Sequence, residues 1–133
     1  MFCACLDGGA FLNGAPISVS PRAETRGADI LSAKSNFDPA FWPGGFPDLK
    51  RSFSSSLAYR LCLVANGAFD GMLTLRPTWE WDVAAGSLIV NEAGGLSTDQ
   101  TGAAPLFNSG AAQLNGMVAS NSDIHSGLLA GLT

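Results

Sequence analysis

Thr78-Trp79-Glu80-Trp81-Asp82-Val83-Ala84-Ala85-Gly86-Ser87-Leu88-Ile89-Val90-Asn91-Glu92-Ala93-Gly94-Gly95 is the stretch on which the reading of this chain turns. It has the marks of a helix. Pro77 and Thr78 can fix its start, Ala84 and Ala85 permit close packing, Leu88, Ile89 and Val90 supply an apolar side, and Gly94-Gly95 marks the exit. Asp82 falls in the first turn, where a carboxylate has two uses. It favours the positive end of the helix dipole, and it is a hard oxygen ligand for a cation such as Mg²⁺.

Working outward, Phe69 to Leu75 reads as a strand running into this helix, so that its end delivers Arg76, Glu80 and Asp82 to one region. Upstream, Ser54-Ser55-Ser56 caps a helix from about Leu57 to Asn66, closed by Gly67. A helix start with spare hydroxyls and amides can also hold an anion, which makes Ser56 a candidate contact. Asp29 to Lys34 reads as a buried strand, with Lys34 either solvent-exposed or meeting a phosphate at the strand's end. Between Phe37 and Phe53, Pro39, Pro43-Gly44-Gly45 and Pro47 indicate a loop. Its aromatics Phe37, Phe41, Trp42 and Phe46 either cover the end of a core or form a lid over a purine.

Nearer the start, Asp7-Gly8-Gly9 and Asn13-Gly14 are turn sequences joining strands at residues 1–6, 10–12 and 17–20 into a hairpin region at one edge. Pro21 to Arg26 could begin a short helix. After Gly95, Leu96 to Asp99 and Gly116 to Ser120 read as strands, and Asp123 as the cap of a terminal helix through Leu132. His125, the single histidine, has no second histidine with which to share a metal and is read as a surface residue. Strands alternating with helices from Ile30 onward predict an α/β sandwich, with a mixed sheet and helices on both faces. Residues 1–133 are read as one α/β domain.

Composition narrows the function classes. Hydrophobic residues make up 47% of the chain and charged ones 14%, which excludes a disordered chain. A net charge of −4, with seven Lys and Arg scattered along the sequence, gives no basic face for a nucleic-acid polymer. Cys3, Cys5 and Cys62 lack a CxxC pair and nearby histidines, so they are read as buried free thiols in a reducing compartment. No apolar run reaches membrane length, and the expectation is a cytoplasmic protein without a membrane partner.

Trp81-Asp82-Val83-Ala84-Ala85-Gly86 through Glu92-Ala93-Gly94-Gly95 resembles the C-terminal signature of the inositol monophosphatase family of Mg²⁺-dependent phosphatases. Gly9-Ala10-Phe11-Leu12-Asn13-Gly14, Leu61-Cys62-Leu63-Val64-Ala65-Asn66-Gly67 and Ala119-Ser120-Asn121 are similar to further family segments. The resemblance covers nearly the whole chain, but only the second half of a family member. It implies the C-terminal half of the sugar-phosphatase fold, a Mg²⁺ cofactor and Asp82 as a metal ligand. It also implies hydrolysis of a small phosphorylated substrate, in which the metal holds phosphate oxygens and activates a water.

The family's other metal ligands come from a Glu-Glu pair and an Asp-Pro-Ile-Asp-Gly-Thr motif of the N-terminal half, and neither stands in this sequence. The expectation is therefore a fragment that begins within a family strand at Met1-Phe2 and has no useful turnover alone. It would act with a missing N-terminal half or as a homodimer. The alternative is a silent remnant or an interaction module whose open sheet edge docks another chain. Pro77-Thr78-Trp79-Glu80-Trp81-Asp82 further resembles the 3′(2′),5′-bisphosphate nucleotidase branch, which implies adenosine 3′,5′-bisphosphate over inositol phosphate. Arg60 falls where that branch often carries a basic residue. Thr74 falls where it often carries arginine, and Arg76 is read as its substitute because residues two apart on a strand share a face. The candidate substrate or supporting contacts are Ser56, Arg60, Arg76 and Glu80.

Overall fold

The computed structural model describes residues 2–54, 56–104 and 113–132, and of Asp82 the backbone only. In chain order the elements are β1 (Phe2–Cys5), β2 (Gly9–Leu12), β3 (Ala15–Pro16), β4 (Asp29–Leu31), β5 (Lys50–Ser52), α1 (Leu57–Ala65), β6 (Gly71–Thr74), β7 (Thr78–Trp79), α2 (Glu80–Glu92), β8 (Leu96–Thr98), β9 (Gln113–Leu114), β10 (Met117–Ser120) and α3 (Ser122–Leu132). Among the described residues one sheet runs β5-β4-β6-β10-β8. Its β5/β4 and β4/β6 pairs are parallel, and its β6/β10 and β10/β8 pairs are antiparallel.

Alternation along these strands builds two cores. Leu31, Met72, Met117 and Ala119 point to the face covered by α1 and α2, where Leu61, Val64, Val83 and Val90 meet them. Ile30, Leu73 and Val118, each next in sequence, point to the opposite face and pack on Ile124 and Leu128 of α3. The strand period of two thus places helices on both faces of a mixed sheet, as the sequence predicts.

The hairpin region differs from its expected place. β1, β2 and β3 form a separate antiparallel sheet, not an edge of the main one, and β1 and β2 pack against α2. The inner faces of β1 and β2 carry Phe2, Ala4 and Ala10 into the first core. The same alternation turns Cys3 and Cys5 outward, so these thiols are exposed and not buried, while Cys62 is half-buried; all three are free. Glu92 ties this sheet to the end of α2. Its carboxylate accepts from Gly9 N–H at 2.8 Å and Asp7 N–H at 3.0 Å, and these bonds hold its pKa below the ordinary 4.5.

Helix ends follow the sequence with corrections. Gly94 adopts φ +93°, and Gly95 N–H donates to Val90 O at 3.0 Å while Gly94 N–H donates to Asn91 O at 3.1 Å, the paired bonds of a Schellman turn. At the other end of α2 the N-cap is Trp79, with no side-chain cap. Thr78 instead pairs with Leu114 between β7 and β9, and its hydroxyl donates back to Arg76 O at 3.1 Å. α3 is capped by Asn121, whose Oδ1 accepts from Ile124 N–H at 2.9 Å, with Asp123 in the first turn. Residues 21–26 form no helix; Asn121 Nδ2 holds that segment by donating to Ser20 O and Arg22 O at 2.7 Å.

Within the expected loop at 37–53, β5 is an additional strand. Its sequence Lys-Arg-Ser has no apolar alternation, and it is an edge strand whose charged residues face water. Trp42 is 4% exposed in the second core and packs edge-on against Phe46 at 5.3 Å; Trp42 and the partly buried Phe37 cover the core, while Phe41 and Phe46 are exposed. Lys34 lies beyond β4 in a 3₁₀ turn, is exposed, and lines an open cavity of about 590 Å³ with Ser35, Phe37, Asp38 and Pro39. No described helix is long and apolar enough to cross a membrane.

His125 is 5% exposed, a correction to its surface assignment. The first turn of α3 faces β8, and Nε2 lies 2.7 Å from Thr98 Oγ1. Thr98 donates its one hydroxyl proton to Asp99 O at 2.8 Å, so Nε2–H is the donor in the His125 contact. Burial lowers the His125 pKa below 6.5. With the folded value depressed, its contribution to stability is complete above pH 6.5 and is lost as pH falls through the folded value. Thermal melts are expected to show a lower Tm at pH 5.0 than at pH 7.5. His125→Gln keeps a donor toward Thr98 and should flatten that difference; an unchanged pH dependence in the variant would contradict the assignment.

Candidate functional site

The start of α1 and the turn from β6 to α2 carry the candidate residues. Ser56 is the N-cap of α1: its Oγ accepts from Tyr59 N–H at 3.2 Å, and the residue is exposed. Ser55, between the other two serines, lies outside the described residues. Arg60 is about one helical turn beyond Ser56 and is only 4% exposed. Its Nε donates to Ser54 O, and its guanidinium carbon sits 4.8 Å from the Phe53 ring centroid. That contact is a cation–π interaction, with Phe53 itself 58% exposed.

The charge of Arg76 acts on Arg60. Burial first, and then the positive charge of Arg76, lower the Arg60 pKa. A surface ion pair joins Arg26 and Asp48 at 3.8 Å, away from these two guanidiniums in the sequence. A mostly buried cation under the repulsion of a second cation is held at an electrostatic cost. An anion bound there would reverse both penalties, and guanidinium forks suit phosphate oxygens.

Arg76 reaches this position from a turn. β6 ends at Thr74, which is 2% exposed, so the argument from two residues on one strand face does not apply to Arg76. Glu80 opens α2 and is 8% exposed. On either side of it Trp79 and Trp81 stack at 4.7 Å and 10° between planes, and both are exposed. Asp82 stands in the first turn of α2 as expected, but its side chain lies outside the described residues. The remaining acids have structural uses where their contacts are described. Asp70, for example, accepts from Ser20 Oγ and Asp29 N–H, both at 2.7 Å.

A Mg²⁺ site needs several oxygen donors. The described residues hold no group of three His, Cys, Asp or Glu that could bind a metal. The donor chemistry of Glu80 and Asp82 fits part of such a site and does not complete it. Residue-by-residue reading missed Phe53, whose ring supports Arg60, and Asn36, which braces the turn before Arg76. Phe53 carried a signal, since it directly precedes the serine run. Asn36 carried none, because its partner is 39 residues away.

A profile of the inositol monophosphatase family matches residues 1–132. The chain is 37% identical over 111 residues to inositol monophosphatase 2 of Solanum lycopersicum, covering 77% of this chain and 42% of that protein. The inositol monophosphatase structure from Anabaena superposes with a TM-score of 0.79 at 28% identity, over 98% of this chain and 55% of that one. The suhB protein structure from Bartonella henselae gives 0.78 at 29% identity, over 98% of this chain and 53% of that one. The chain therefore spans between about two fifths and half the length of these relatives. Signature residues, layer order and matched length agree: the chain belongs to the inositol monophosphatase family.

Proposed function

We propose that this chain supplies part of a Mg²⁺-dependent phosphomonoesterase site, with Asp82 as one metal ligand and Arg60, Arg76 and Ser56 as contacts for a phosphorylated substrate. The observation that carries the reading is Arg60 itself, a cation 4% exposed near the start of α1, held by Ser54 O and the Phe53 ring and acted on by the charge of Arg76. Bound Mg²⁺ would supply charge neutralisation and an activated water. Arg60 is held in place by Ser54 O and the Phe53 ring, so its fork is oriented before an anion arrives. Glu80, at the mouth of α2, is the carboxylate nearest in sequence to Asp82 and supports that end of the site.

Two arginines suit a substrate with a second phosphate. This favours adenosine 3′,5′-bisphosphate over inositol 1-phosphate, in line with the resemblance of Pro77 to Asp82 to the nucleotidase branch. The family resemblance implies that carboxylates of an N-terminal half complete the metal site.

The test is phosphate release with and without Mg²⁺, from the chain alone and from the chain co-expressed with the N-terminal half of a family relative. The chain alone is expected to be silent. The assembled pair should release phosphate faster from the bisphosphate, and Asp82→Asn should abolish release, since a metal contributes several kcal/mol to such chemistry. Release that survives Asp82→Asn, or faster release from inositol 1-phosphate, would sink the corresponding assignment. A pair that associates without any release would favour the interaction module.

A further inference from the structure

We infer that Asn36 is a positioning residue that sets the direction of Arg76, an inference that rests on the assignment of Arg76 to the substrate site. β4 ends at Leu31, opposite Met72, whereas β6 continues toward the turn. The Leu75 amide therefore emerges beyond the reach of its parallel neighbour, and a buried amide without an acceptor costs about 1–3 kcal/mol. Asn36 Oδ1 supplies the acceptor at 3.2 Å.

Asn36 is suited to this because it is itself fixed. It is 7% exposed, its Nδ2 donates to Ser32 Oγ at 3.0 Å, and its backbone oxygen accepts from Trp42 Nε1 at 2.9 Å. The other side of Leu75 is also held, since Gln100 Nε2 donates to Leu75 O at 3.3 Å and to Asn115 Oδ1 at 2.6 Å. Thr78 Oγ1 then secures Arg76 O, and Pro77 limits the next torsion. Side chains from three separated segments thus lock the backbone around one exposed arginine. Closing off the strand end requires only the first of these bonds; the whole set restricts where the guanidinium can point. Through Trp42, which packs on Phe46, the loop at residues 37–46 becomes a support of the anion site.

The experiment is hydrogen exchange and ¹⁵N relaxation on the full chain, with binding of adenosine 3′,5′-bisphosphate and adenosine 5′-monophosphate measured in parallel. Asn36→Ala is expected to speed exchange at Leu75 about tenfold, the effect of one hydrogen bond, and to raise the mobility of Arg76 while leaving Leu73 unchanged. It should also reduce the preference for the bisphosphate. Asn36→Asp retains an acceptor for Leu75 but loses the Nδ2 donor to Ser32 Oγ, and should restore the protection of Leu75 and the preference only in part. If Asn36→Ala does not fold, Gln100→Ala, which frees Leu75 O and leaves the Leu75 N–H bond in place, is expected to raise the mobility of Arg76 and reduce the preference for the bisphosphate without speeding exchange at Leu75. Equal acceleration at Leu73 and Leu75, or an unmoved Arg76, overturns the positioning role. An Arg76 that loosens in a chain that never discriminates between the two ligands upholds the positioning and overturns the bisphosphate reading instead.

Discussion

Gly86→Val is expected to destabilise the fold by about 3 kcal/mol, a large share of the roughly 5–15 kcal/mol that separates a typical domain from its unfolded state. Gly86 lies where α2 meets α1. A Cβ at this position would stand 2.6 Å from Leu61 Cδ1 and 2.7 Å from Leu61 Cβ, and Leu61 is fully buried. Neither helix can withdraw freely, because α1 rests on β6 and β10 and α2 is clasped by β1 and β8. Gly86→Ala should cost less, since about 1 kcal/mol of helix propensity offsets the collision. Leu61→Ala alone should cost about 2–5 kcal/mol through its cavity. Combined with Gly86→Ala it should cost less than the sum of the two, because each change relieves the other. Urea denaturation of the parent and the four variants checks this, and a Gly86→Val midpoint equal to the parent's would show that the helices do not touch there.

Arg60→Leu should separate binding from stability. The isolated chain is expected to melt at or above the parent's Tm, because the substitution removes a buried cation that is under repulsion from the charge of Arg76 and such groups are often replaced by apolar ones at no loss. The lost bond to Ser54 O and the lost stacking on Phe53 work in the other direction and keep any gain small. Affinity for adenosine 3′,5′-bisphosphate should nonetheless fall about 10- to 100-fold, the worth of a charge-assisted hydrogen bond. Calorimetric titration and thermal melting together decide the matter. A lower Tm with unchanged affinity would make Arg60 a structural residue and remove the main support for the anion site.

The elements themselves were legible because their signals are local. The apolar side and Gly94-Gly95 exit define α2, Ser56 marks the start of α1, and short apolar runs mark β4, β6 and β10. The family signature from Trp81 to Gly95 is equally local. Corrections arose where a residue's environment comes from distant segments. Cys3 and Cys5 face outward because α2 takes the other side of β1. β5 is a strand because β4 offers it an edge, although Lys50 and Arg51 give it no apolar pattern.

Of the candidate site, sequence alone determined the presence of a carboxylate at the helix start, two arginines nearby in the chain and a serine cap, since residue type and spacing carry those facts. Only the tertiary structure decided that Arg60 is buried against Phe53 within range of the charge of Arg76, that His125 is sealed against Thr98, and that Asn36 braces Leu75. The physical reason is that solvation and charge coupling belong to the space around a group, and that space is filled by segments up to 39 residues away in the case of Asn36 and Leu75.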